Sequence, residues 1–114
     1  MKRIILLTLI LGASLLFSGA ICNKKSSTSE TPVNTNQISI NNFVFNPPVI
    51  TVSPGTQVTW TNNNSVTHTV TSDENKFNSS IAPGNSFNFV FQDTGTFSYH
   101  CSIHTNMTGQ VIVK

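Results

Sequence analysis

One short stretch carries most of the chemistry available to this chain. Tyr99-His100-Cys101-Ser102-Ile103-His104-Thr105-Asn106-Met107 contains the spacing Cys-x-x-His-x-x-Met, and a further histidine, His68, stands upstream at the head of a β-type run. The four side chains His68, Cys101, His104 and Met107 are two imidazoles, a thiolate and a thioether. Two His and one Cys in a trigonal plane, with a weak axial Met, make the donor set of a blue-copper centre. Thiolate and thioether favour Cu(I), whereas imidazole accepts both Cu(I) and Cu(II). Donors that suit both states let the metal change charge with little movement, which favours fast one-electron transfer. Zinc also takes two His and one Cys, but a thioether is a poor zinc ligand. A Cys22–Cys101 disulfide would leave both histidines without a role, and core packing accounts for any one of the four residues but not for all four at these spacings.

The spacing needs a β framework to work. Cys101 ends a strand, His104 and Met107 follow on a tight loop, and His68 comes from a neighbouring strand that ties the loop to the rest of the domain. Strand alternation puts Phe97, Tyr99 and Cys101 on one face and Ser98 and His100 on the other, so His100 is excluded as a ligand. No helical periodicity of useful length is present. Ile38 and Ile40, Val49 to Val52, Val58 and Trp60, His68 to Thr71, Phe87, Phe89 and Phe91, Thr96 to Cys101, and Val111 to Val113 read instead as short strands. Ser53-Pro54-Gly55, Ala82-Pro83-Gly84-Asn85 and Asp93-Thr94-Gly95 are turn sequences between them. Short strands at this density predict a β-sandwich or small barrel. Trp60 and the Phe87, Phe89 and Phe91 stripe are read as core.

The first 22 residues have the order of a secretory signal peptide. Lys2 and Arg3 lead an apolar run from Ile4 to Phe17, followed by small residues at Ser18, Gly19 and Ala20. Two processing routes stay open. An ordinary signal peptidase would cut after Ala20, whereas Gly19-Ala20-Ile21-Cys22 resembles a loose bacterial lipobox with Cys22 as the lipidated residue. Acyl chains on Cys22 would hold the protein at a membrane surface. Residues 23–36, NKKSSTSETPVNTN, are polar and lack apolar periodicity, so they are expected to be a flexible tether. The folded domain is expected over 37–114. Beyond residue 22 four lysines (Lys24, Lys25, Lys76 and Lys114) face four acids (Glu30, Asp73, Glu74 and Asp93), leaving that part neutral. With no basic stripe, nucleic acid is not an expected partner.

Residues 37–114 resemble the cupredoxins, in particular the plastocyanin, pseudoazurin and amicyanin group. Phe45-Asn46-Pro47 with Ile50-Thr51-Val52, and Pro54-Gly55-Thr56-Gln57-Val58-Thr59-Trp60-Thr61-Asn62, are similar to that family's first half. His68-Thr69-Val70, Gly95-Thr96-Phe97-Ser98-Tyr99-His100-Cys101 and Met107-Thr108-Gly109-Gln110-Val111-Ile112-Val113 are similar to its ligand strands and closing strand. The resemblance implies an all-β Greek-key sandwich or barrel of the cupredoxin type with one type 1 copper. His68, Cys101 and His104 would be equatorial ligands and Met107 the axial one. The Thr69 backbone N–H would donate to the Cys101 sulfur, and Asn62 and Ser102 would pin the ligand segments together. The His104 ring edge would pass the electron to and from redox proteins docking there. Thr105 and Asn106 stand where amicyanins usually carry Pro-Phe, implying a more polar surface around His104. The expected function is single-electron transfer by an exported monomer, in the periplasm or on the membrane surface of a bacterium. Copper delivery is the alternative. Neither an enzyme nor a small-molecule substrate is expected, because a multicopper oxidase or nitrite reductase needs more histidines than the three present.

Overall fold

A computed structural model describes residues 30–114. The signal-like segment, Cys22 and the first part of the expected tether lie outside the described residues. Among the described residues nine strands form two sheets. They are β1 (Gln37–Asn41), β2 (Val44–Asn46), β3 (Val49–Val52), β4 (Thr56–Asn62), β5 (His68–Ser72), β6 (Asn78–Ile81), β7 (Ser86–Phe91), β8 (Gly95–His100) and β9 (Thr108–Val113). One sheet has the order β2-β1-β4-β7 and the other β3-β9-β8-β5-β6. Two pairings are parallel, β1 with β4 and β3 with β9, and the rest are antiparallel. The fold is an all-β sandwich. Among the described residues no helix is long and apolar enough to cross a membrane.

The period-two pattern decides which residues face inward. On β4, Val58, Trp60 and Asn62 are buried while Thr59 and Thr61 are less so. Trp60 lies at the centre. It stacks with Phe87 at 5.7 Å, packs against Phe77 at 5.8 Å and meets Tyr99 edge-on at 5.4 Å. The β7 stripe faces the core as expected, but only Phe91 is fully covered, and Phe87 and Phe89 pack at the margin. Tyr99 lies opposite Gly109 across β8 and β9. A Cβ at Gly109 would fall inside the Tyr99 hydroxyl and ring, so the glycine makes room for the aromatic that covers it.

Two strands were not expected from the sequence. β6 reads Asn-Ser-Ser-Ile with only Ile81 buried, and it lies at a sheet edge where polar side chains meet water. β2 is three residues long and leads into Pro47. The start of the domain also differs from the expectation. Val33 forms a parallel bridge with Ile50, its N–H donating to the Val49 carbonyl and its own carbonyl accepting from Thr51. Asn36 accepts from the Thr59 N–H, so with the Val33 bridge the chain is pinned to the sandwich from Val33 onward, four residues before β1 begins at Gln37. A polar segment attaches here because a sheet edge offers unpaired backbone groups that need no apolar side chains to satisfy them.

Candidate metal centre

The centre lies at one end of the sandwich, where the β1–β2 turn, the β4–β5 connection and the β8–β9 loop come together. β5 starts there with His68, fully buried. β8 ends there, and Cys101 follows it, also fully buried. Two backbone bonds shape the β8–β9 loop: the Met107 N–H donates to the His104 carbonyl at 2.9 Å, and the Cys101 N–H to the Met107 carbonyl at 3.0 Å. These close the loop on itself and bring residues three and six places after the cysteine back beside it. Met107 is buried in the core cluster beneath.

The donor atoms of His68, Cys101 and His104 all lie within 4.8 Å of one another. The Cys101 Sγ is 3.8 Å from His68 Nδ1 and 3.7 Å from His104 Nδ1, and the two Nδ1 atoms are 3.1 Å apart. Both imidazoles therefore turn the same ring nitrogen to the sulfur. One sulfur and two imidazole nitrogens at this separation suit a soft, tetrahedral or trigonal metal. His100 is elsewhere: its Nδ1 meets the Asp73 carboxylate at 2.6 Å on the surface.

The surroundings favour an anionic sulfur. Burial pushes the Cys101 thiol up, but the backbone N–H groups of Thr69, His104 and Ile103 and the Thr69 hydroxyl outweigh it, and the thiol lies below its ordinary value. The Thr69 N–H is 3.3 Å from the sulfur. Burial, with the neighbouring His104 as a second cause, holds His68 below the ordinary imidazole value and so keeps it neutral. Deprotonated sulfur and neutral imidazole are the forms that bind metals.

Thr69 is also the bracket between the ligand segments. Its hydroxyl oxygen accepts the Ser102 backbone N–H at 2.7 Å and lies 3.0 Å from the Ser102 hydroxyl. Ser102 thus joins the cysteine loop to β5. Asn62 has a different task. Its side-chain amide donates to the carbonyls of Val66 and Ile81 at 2.8 and 2.9 Å, and its oxygen accepts the Asn64 N–H. It shapes the connection that delivers His68 and fixes it to β6; its hydrogen bonds do not reach the cysteine loop. The reason is position: Asn62 points inward at the end of β4, in the opposite sheet from β8.

Two contacts were missed. The Asn64 side-chain nitrogen lies 2.9 Å from His68 Nε2, and Phe43 places its ring edge-on to both histidines. Asn64 is the third asparagine of Asn62-Asn63-Asn64, and nothing in that run distinguishes it. The polar surface expected around His104 is also only part of what is found. Thr105 and Asn106 are exposed, but so are Phe43, Val44, Val66 and Ile103, the last at 55%. Those apolar residues come from three separate segments, which sequence spacing does not bring together.

The Cupredoxin-like domain family model matches residues 9–113 of the chain. This chain is a cupredoxin. The chloroplastic plastocyanin of Tetradesmus obliquus is 33% identical over 86 residues, covering 63% of this chain and 59% of that one. The amicyanin of Paracoccus denitrificans is 26% identical over 110 residues, covering 85% and 84%. The chain thus spans less than two thirds of the algal protein's length. Among solved structures, the purple cupredoxin from Nitrosopumilus maritimus has a TM-score of 0.65 and 34% identity, over 70% of this chain and all of that one. In this cupredoxin His68, Cys101, His104 and Met107 form an arrangement like that of a type 1 copper site.

Proposed function

We propose that this cupredoxin carries single electrons between redox proteins outside the cytoplasm, through one copper held by His68, Cys101, His104 and Met107. The observation that carries this reading is the convergence of the two Nδ1 atoms and the Cys101 sulfur within 4.8 Å. Copper, when bound, supplies the one-electron couple. The chain's own residues do the rest. The N–H groups around Cys101 favour the thiolate over the thiol. Burial of His68, Cys101 and Met107 keeps water from those donors. The Thr69–Ser102 bracket restrains the ligand loop, so that little rearrangement accompanies a change of charge. His104 is the only half-exposed donor of the set and offers the path in and out for the electron. The exposed apolar residues beside it, Phe43 and Ile103, are the proposed docking surface for redox partners.

Burial of three of the four donors favours retention of the metal over its delivery to an acceptor. With all four protein donors in place, no coordination position is left for a substrate, which argues against an enzyme. The basic start, apolar run and small residues of 1–20 support export, and Cys22 is the proposed lipid acceptor for attachment to a membrane surface. The decisive experiment is a visible absorption spectrum of the Cu(II)-loaded protein before and after ascorbate. An intense blue band that vanishes on reduction and returns on reoxidation is expected. A colourless protein would refute the copper–thiolate centre, and a band that does not recover would refute the carrier role.

A further inference from the structure

The two-residue turn Asn42-Phe43 contributes no ligand, yet it reaches the metal centre by two separate routes. β1 and β2 pair Asn41 directly with Val44, so the turn has only these two residues. Both have left-handed backbone, with φ of 49° and 59°. Tight hairpins of this kind favour Asn followed by Gly. Asparagine suits the first position, but a bulky aromatic is among the least suited residues for the second. Burial does not explain it either, since Phe43 is 50% exposed. What the ring does touch is the pair of histidines. Its centroid lies 5.5 Å from His68 and 5.0 Å from His104, with interplanar angles of 78° and 77°. Among the described residues no other aromatic side chain pairs with either imidazole, apart from their pairing with each other. The second route is polar. The Asn42 N–H donates to the Asn64 side-chain oxygen at 3.2 Å, and the nitrogen of the same amide lies 2.9 Å from His68 Nε2, the ring nitrogen turned away from the sulfur.

We propose that the Asn42-Phe43 turn is the cap of the metal centre. Phe43 is a positioning and shielding residue: its ring covers the seam between the two imidazoles, holds their planes, and denies small solutes a way to the metal. Asn42 braces His68 from behind through Asn64. Strain at a backbone position is retained where function requires it, and here it places an aromatic over the one junction between the buried ligand, His68, and the half-exposed one, His104. The inference rests on the copper reading above and deepens it.

Phe43→Gly separates the cap from the turn, because glycine takes left-handed φ freely. If Phe43 serves only the hairpin, the variant is at least as stable as the wild type and releases copper at the same rate. If the ring is a cap, the variant folds equally well but surrenders copper to EDTA faster. Two edge-on aromatic pairs of ordinary strength correspond to about a tenfold change in rate. Phe43→Tyr, which keeps the ring, should restore the wild-type rate. Equal release rates in wild type and Phe43→Gly would overturn the proposal. The imidazole proton signals of the metal-free protein give a second readout. Loss of the ring should shift the signals of both His68 and His104 in Phe43→Gly and not in Phe43→Tyr, and unshifted signals would overturn the cap. Failure of the wild type to bind copper would refute the carrier reading, and the metal-free spectra would still decide whether the Phe43 ring lies over both histidines.

Discussion

The Thr69 hydroxyl is the most informative single group to remove. Thr69→Val keeps the shape and the backbone N–H that points to the Cys101 sulfur, but deletes the oxygen that accepts the Ser102 N–H at 2.7 Å. Thr69 is only 5% exposed, so water has little access to replace it. An orphaned backbone donor in such a place costs about 1–3 kcal/mol. The same oxygen also meets the hydroxyls of Ser102 and Thr71 at 3.0 Å. Those partners are better placed to turn to solvent or to Asn78, so their loss adds about 0.5 kcal/mol or less. A total near 2 kcal/mol is expected, which for a domain of this size lowers the melting temperature by about 10 °C. Thermal melts of metal-free wild type, Thr69→Val and Thr69→Ser measure it. Thr69→Ser retains the oxygen and should lose only the buried methyl, about 1 kcal/mol or less. The copper-loaded Thr69→Val protein should keep its visible band, because the N–H to sulfur remains. If Thr69→Val were as stable as Thr69→Ser, the hydroxyl would not be the bracket between β5 and the ligand loop, and the reasoning would fail.

Cys101→Ser should abolish the intense visible band of the copper-loaded protein while shifting stability by only about 1 kcal/mol, since the Thr69 N–H keeps an acceptor; a surviving band would mean that the sulfur is not the chromophore. Gly109→Ala should destabilise the fold by about 2–3 kcal/mol in urea unfolding, because Tyr99 must leave its place over Gly109; a neutral result would mean that the ring shifts freely. Stability of the metal-free protein should rise with pH. The unfolded His68 binds a proton below its ordinary value of 6.5, whereas the folded imidazole, with its lowered value, resists protonation, so stability falls as pH drops through 6.5. The folded Cys101 ionises before the unfolded thiol, whose ordinary value is 9.0, so its contribution grows as pH rises toward 9.0. Melts at several pH values should follow both limbs, and His68→Gln should flatten the acidic one.

The candidate ligand residues were legible in the sequence because they differ in chemistry from everything around them, and because three of them share one loop. His68 was legible for a second reason: it opens a β-type run, and a strand adjacent to Cys101 was needed to close the site. The exclusion of His100 followed from strand parity alone, and its pairing with Asp73 agrees with that geometry. Long alternating strands such as β4 were equally plain. What stayed hidden shares a different property. β6 buries one side chain in four, so its partners lie in the backbone ladder to β5 and not in its own pattern. Residues 33–36 attach by carbonyls and N–H groups, which every residue possesses. Asn62 was expected to pin the ligand segments together, but its partners belong to segments four and nineteen residues away, and spacing does not choose between them.

Phe43 illustrates the limit most sharply and also shows how the site is built. In sequence it is an aromatic between Asn42 and Val44, 25 residues before the first histidine it touches, and nothing in its spacing sets it apart. Its role depends on where three connections meet. β1 and β4 run parallel, so the turn after β1 and the connection after β4 open at the same end. β5 and β8 run antiparallel, so the start of one lies beside the end of the other, again at that end. The sheet directions therefore bring the Phe43 turn, Asn64, His68 and Cys101 to a single place without any of them being neighbours in the chain. Each sheet supplies what the other lacks. The β5–β8–β9 sheet provides the donors and their bracket at Thr69. The β1–β2–β4 sheet provides Asn62, which shapes the approach to His68, and the turn that lies over the imidazoles. Ligand position thus depends on the packing of one sheet against the other, and substitutions that loosen that packing at Trp60 or Tyr99 should disturb the metal centre as well as the core.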